Sequence, residues 1–106
     1  MSVRRIEVLL SRAALRDVDH ILVYTRRIWG ENQQTNYRDV IYQALEMLSQ
    51  HPQAGRPRDD RFPGCRSIQV AQHVIYFHQP RAAEIEVLRI LHHRQDASAA
   101  VKEPPS

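Results

Sequence analysis

The sequence predicts an α+β domain: an N-terminal strand, an antiparallel hairpin of two helices, then a three-strand antiparallel meander. Three observations carry this expectation. Two stretches of helical period follow one another between Ser11 and Gln50. Three short stretches rich in β-branched and aromatic residues follow between Cys65 and Leu91. The Gly- and Pro-containing breakers lie between these stretches, at Gly30, at His51-Pro52 and from Gln53 to Gly64. A run of helices followed by a run of strands places the helices together on one face of a largely antiparallel sheet.

Arg4 to Leu10 (RRIEVLL) alternates and then turns apolar, as a strand does. Ser11 is suited to cap a helix, because its hydroxyl accepts from a free N–H of the first turn. From there to Trp29, Ala14, Val18, Ile21, Thr25 and Ile28 form one stripe, with Leu15, Leu22 and Trp29 beside it. Gly30 stands where a helix favours a positive φ. After a break over Gly30 to Asn32, the stripe Tyr37, Val40, Ile41, Ala44, Leu45 and Leu48 carries a second helix to about Gln50. The helix ends at His51, because a residue before proline is pushed out of helical geometry. The short connection makes the two helices an antiparallel hairpin. Cys65 to Val70 alternates as a strand, and Ala71-Gln72 turns it. Val74 to Phe77 forms the next strand, Pro80 marks a turn, and Ile85 to Leu91 forms the last. Both of these carry apolar residues on consecutive positions, as strands covered on both faces do. The pattern does not say whether the first strand joins the sheet at an edge or between strands. One domain is expected over residues 1–96, with 97–106 a tail that is mobile or ordered by a partner.

The chain of 106 residues is long enough for one small domain, and 42% hydrophobic residues make a core feasible. Such a domain gains stability from a partner that covers more of its surface. The net charge of +3 and a pI near 9.5 point to acidic partners. Arginine dominates; Lys102 is the one lysine. Cys65 is the one cysteine, so neither an internal disulfide nor a cysteine metal motif is available, and a reducing cytoplasm fits. No apolar run approaches the ~20 residues that span a bilayer. The basic, briefly apolar start is interrupted by Glu7 and does not read as a signal peptide.

Six histidines (His20, His51, His73, His78, His92 and His93) show no spacing that assembles a metal site, and adjacent strand residues such as His92 and His93 point to opposite faces. No phosphate-cradling glycine loop is present. Cys65 reads as a small buried hydrophobe. Arg56, Arg58, Arg61 and Arg66, with Arg89 and Arg94, form a candidate basic surface for phosphates or carboxylates. The alternative is that Arg58 and Arg61 pair with Asp59 and Asp60. His92, His93, Arg94 and Asp96 form the other cluster. Imidazole beside guanidinium suits acid–base chemistry on RNA, or the cluster is structural, with Asp96 capping a turn.

The segments LSRAALRDVDHILVYTRRIWG, NYRDVIYQALEMLSQHPQAGRP, GRPRDD, PGCRSIQV, HVIYFH and IEVLRILHHRQD, in this order, resemble the ParE branch of the RelE/ParE toxin superfamily from Val3 to Asp96. The resemblance implies the toxin of a type II toxin–antitoxin pair, with the fold derived above and no cofactor. It implies a ParD-like antitoxin partner with an acidic segment that folds onto the toxin, and operator DNA reached only through that antitoxin. Trp29, Tyr37 and the Arg56–Arg66 loop are the expected contacts. It implies DNA gyrase as target and an inhibitor rather than an enzyme. The RelE branch instead cleaves mRNA on the ribosome. Arg66, His92, His93 and Arg94 are what this chain offers towards that set, while the lysine-rich site is absent and no tyrosine follows Arg94. An inactive homologue that serves as a binding module is the third alternative.

Overall fold

The computed structural model describes residues 6–105. The elements are β1 (Glu7–Leu10), α1 (Arg12–Trp29), α2 (Glu31–Gln50), β2 (Arg56–Pro57), β3 (Arg66–Val70), β4 (His73–Arg81) and β5 (Glu84–His92). Arg4 and Arg5, expected in the first strand, lie outside the described residues. The sheet order is β1-β5-β4-β3-β2. The meander β3-β4-β5 is antiparallel, and β1 sits at an edge, parallel to β5, with Glu7 opposite Glu84 and Leu10 opposite Val87. The long connection that a parallel pair requires runs through the helical hairpin and then β2, β3 and β4. The two-residue β2 is an addition to the expected topology, within the stretch expected to be irregular.

Ser11 caps α1 as its chemistry predicts: its Oγ accepts from Ala14 N at 3.0 Å. The expected break between the helices shrinks to Gly30 alone, at φ 93°, whose N–H closes α1 on Arg26 O. Ala14 and Val18 of α1 and Ile41, Leu45 and Leu48 of α2 pack on Ile68, Ile75, Phe77, Ile85, Val87 and Ile90 of the sheet. This inner core is what the two stripes anticipate. Leu15 and Val40 depart from that expectation and are exposed, as are Ile28 and Trp29 at the end of α1. At about 100° per residue Ile28 and Trp29 flank the line through Ala14, Val18 and Thr25 on either side.

Two irregularities explain strand patterns that do not alternate. Tyr76 pairs with Arg89 but Phe77 with Val87, so Leu88 is an extra residue in β5. Such a bulge shifts the phase of the strand. Val87 and Ile90 therefore face the helices, while Leu88 and Leu91 face outward. The polar groups around the bulge find partners on α1. Leu88 O accepts from Ser11 Oγ at 2.8 Å, and Asp17 takes Ile90 N at 2.9 Å together with both Arg89 Nε and Nη2, at 2.7 and 2.9 Å. The second irregularity lies between His78 and Arg81. Pro80 sits within β4 rather than in the turn, which falls on Ala82 and Ala83. A proline lacks the N–H that a ladder uses, and a bulge is where a strand tolerates it.

The outer face of the sheet carries a second cluster of Phe62, Cys65, Tyr76, Leu88 and Leu91. Residues 97–101 fold back over it, and Ala97 and Val101 are buried there. Cys65 is fully buried, in keeping with its reading as a small hydrophobe.

Candidate functional site

Near the Gly30 turn of the hairpin, α1, the start of α2, the β3–β4 turn and the end of β5 enclose a groove of about 560 Å³. Its lining is His20, Ile21, Tyr24, Thr25, Trp29, Gln33, Tyr37, Gln72, His73 and His92. Tyr24 and Trp29 project into solvent at 62% and 70% exposure, and Ile28 lies beside them. Exposed large apolar residues gathered beside a groove mark a binding surface.

The floor of the groove is a chain of aromatic contacts. The Tyr37 hydroxyl is hydrogen-bonded to His73 Nδ1. The His73 ring meets His92 edge-on at 5.5 Å, and His92 stacks on His93 at 4.5 Å between centroids. The sequence rule that neighbouring strand residues diverge does not apply to His92 and His93, because β5 ends at His92 and His93 lies in the following turn. Burial, reinforced by the like charges of His92 and His93, pushes the His73 pKa down to about 4, so its ring is neutral at pH 7 and free to accept from Tyr37. Burial likewise raises the Tyr37 hydroxyl above its usual range. His93 Nε2 lies 3.0 Å from Gln72 Oε1, and Arg94 N donates to His92 Nδ1 at 3.2 Å. Among the described residues, no group of three or more His, Cys, Asp or Glu converges as a metal requires.

The arginines expected to form one basic surface are engaged separately. Arg66 donates to three backbone carbonyls, those of Gln53, Ala54 and Gly55. It thereby pins the chain that leaves α2, where a Cβ on Gly55 would overlap the Ser67 carbonyl and the Ile68 Cγ2. Arg89 clamps Asp17 beneath α1. Arg58 makes two bonds to Asp60, at 2.9 and 3.0 Å, and lies over the Tyr76 ring at 5.3 Å. Its hydrogen bonds hold the Asp60 carboxyl down to about 2. Arg61 joins the same carboxylate at 3.3 Å. Arg56 and Arg94 are exposed. Asp96 caps a turn by accepting from Ser98 N at 2.9 Å. Of the expected contact residues, Trp29 and Tyr37 come together in the groove with His92; the arginines do not join them. Tyr24 and His73 were not singled out by the sequence pattern. The available signal was Tyr24, a large aromatic four residues before Ile28 and outside the apolar stripe of α1.

The family model for the ParE toxin of type II toxin–antitoxin systems, parDE, matches residues 8–97. The chain belongs to the ParE toxin family. This ParE toxin is 31% identical over 90 residues to Toxin ParE1 of Caulobacter vibrioides, covering 85% of this chain and 92% of that protein. It is also 31% identical over 88 residues to Toxin ParE1 of Mycobacterium tuberculosis, covering 83% and 90%. Among solved structures, it resembles a chain of the chromosomal ParDE system of P. aeruginosa with a TM-score of 0.71 at 22% identity, covering 85% of this chain and 98% of that one. It resembles a chain of the RelBE2 toxin–antitoxin complex of M. tuberculosis with a TM-score of 0.64 at 17% identity, covering 89% and 98%. The fold derived above is thus the fold of ParE and RelE toxin structures. Among the described residues, no helix is long and apolar enough to cross a membrane.

Proposed function

We propose that this ParE toxin inhibits DNA gyrase in the cytoplasm by binding rather than by catalysis, and that a ParD-like antitoxin neutralises it in a hetero-oligomer that contacts operator DNA through the antitoxin. The observation that carries the choice against RNA cleavage is the engagement of the basic residues. Arg66 is spent on three carbonyls and Arg89 on Asp17, and neither can leave its partners without loosening the fold. Charge stabilisation of a cleaving phosphate needs preorganised donors aimed at the reacting group. Antitoxin binding is supported by the exposed Tyr24, Ile28 and Trp29 beside the groove and by the net positive charge, which favours an acidic segment that orders on contact. The P. aeruginosa neighbour is described as part of a ParDE system and the M. tuberculosis one as part of a toxin–antitoxin complex.

The stacked pair His92–His93 beside Arg94 favours a second reading, a ribosome-dependent mRNA endoribonuclease. Purified toxin added to gyrase supercoiling with cleavage-complex trapping, and in parallel to in vitro translation with mRNA mapping, separates the two. Loss of supercoiling with intact mRNA is expected. Mapped ribosome-dependent cuts with gyrase unaffected would replace the proposal with the endoribonuclease. No effect in either assay, and no growth arrest on induction without antitoxin, would leave an inactive binding module. Trp29→Ala should weaken antitoxin binding by roughly tenfold or more, as expected for an exposed aromatic anchor, with the melting temperature little changed.

A further inference from the structure

The family match ends at residue 97, and 85% of this chain suffices to match 98% of the P. aeruginosa ParDE chain. The segment beyond that point nevertheless lies on the domain. Ala97 and Val101 are 8% and 2% exposed and close the outer cluster over Cys65, Tyr76, Leu88 and Leu91. Among the described residues, the hydrogen bonds of this segment are local. Ser98 N donates to Asp96 Oδ1 at 2.9 Å, and Ala100 N and Val101 N donate to Ala97 O at 3.1 and 2.8 Å. Pro104 and Pro105 continue into a shallow groove shared with Phe62, His78 and Glu86.

The segment is therefore one tight turn fixed to the sheet by two small apolar anchors, not by a ladder. Small anchors bury little area, and ordering the segment opposes them. Parts held this way open far more readily than a core. The face beneath is different. Tyr76, Leu88 and Leu91 sit on β4 and β5, the two longest strands, which are held from the other side by the helical hairpin.

We propose that residues 97–105 are a displaceable strap that occupies in cis a peptide-binding face on the outer side of the sheet. The face takes a segment shaped like the strap itself, with a small residue and a β-branched residue four positions apart, followed by a Pro-Pro pair. A partner carrying such a segment competes with the strap and reaches a surface separate from the hairpin groove.

Cys65 belongs to the same buried cluster as Ala97 and Val101 and is the one cysteine of the chain, so its labelling reads the opening of that cluster at a single site. Burial pushes its thiol up to about 11, and only the thiolate reacts, so a closed strap slows labelling through both access and ionisation. The test labels the full-length protein with a maleimide under native conditions, comparing it with Val101→Asp and with the milder Val101→Ala. Val101→Asp is expected to label at least ~10-fold faster, as an opened local unit does, with the helical circular dichroism unchanged and Val101→Ala in between. A synthetic peptide ASAAVKEPPS in excess should slow labelling of Val101→Asp again, while a scrambled peptide should not. Unchanged labelling in Val101→Asp overturns the strap, and faster labelling that the peptide does not slow overturns the binding face. Loss of helical signal in both variants also overturns the proposal, because the segment would then be part of the cooperative core. The readout uses no toxin activity, so the gyrase proposal can fail without affecting it.

Discussion

The inner face of the sheet is covered by helices of 18 and 20 residues, capped at Ser11, turned at Gly30 and tied to β5 through Ser11 and Asp17. The outer face is covered by the loop that carries Phe62 and by a strap anchored at Ala97 and Val101. Both faces carry buried apolar clusters, but the inner cover also satisfies backbone groups of the sheet, at Leu88 O and Ile90 N, whereas the outer loop reaches the sheet through a side-chain contact of Arg58 with Tyr76. Buried area alone therefore does not distinguish a permanent cover from a replaceable one. What distinguishes them is whether the backbone polar groups of the sheet depend on the cover.

The comparison is broken most directly by Phe77→Ala on the inner face. It should lower unfolding free energy by about 3–5 kcal/mol in a denaturant titration, the usual range for a buried phenylalanine. A loss under 1 kcal/mol would mean that the inner core repacks freely. Asp17→Ala comes next, at roughly 2–3 kcal/mol, because it leaves Arg89 and the Ile90 N–H without their shared acceptor. Asp17→Asn should fall short of that loss, since its amide oxygen still accepts from the N–H. Equal losses for the two variants would show that charge, and not the bulge, dominates.

Acid is the third probe. The folded pKa of His73, about 4, lies below the ordinary imidazole value of 6.5. The unfolded chain therefore binds a proton that the folded one refuses between those values. Stability is full above pH 6.5, falls as pH drops towards 4 and levels below it. The loss is roughly 1–3 kcal/mol, less than the full linkage value because the site is only partly buried. His73→Gln should flatten that part of the stability–pH curve, and an unchanged slope would assign it to other groups. At the small end, Arg81→Ala removes a pair with Glu84 whose arginine is 76% exposed. It should change stability by less than about 0.5 kcal/mol, with little response to salt beyond that.

Element order and both helical stripes were readable in the sequence, because periodicity reports which side of an element meets a core. The partner of β1 was not, since pairing of a short strand with one 77 positions away leaves no local trace. Pro80 misled for a related reason: a bulge hides a proline inside a strand, and the sequence shows only the proline. The arginines illustrate a limit of composition. Charge counts reveal cations but not the carbonyls of Gln53, Ala54 and Gly55 that occupy Arg66. The groove was half legible. Trp29 and Tyr37 stand out as aromatic residues on the helices, whereas His73 joins them through a turn of the sheet, and its neutral state follows from burial.

The parallel edge pair of β1 and β5 has a consequence for the timing of folding. The hairpin of α1 and α2 rests on contacts close in sequence and can form early, while β1 waits until the last strand is in place. Closing so long a loop is an entropic barrier that local structure does not lower. Ser11 and Asp17 meet their acceptor and donors on β5 in that same late event. A chain stopped before Glu84 thus carries the helices and lacks the closed sheet, so the toxin assembles as a whole only at the end.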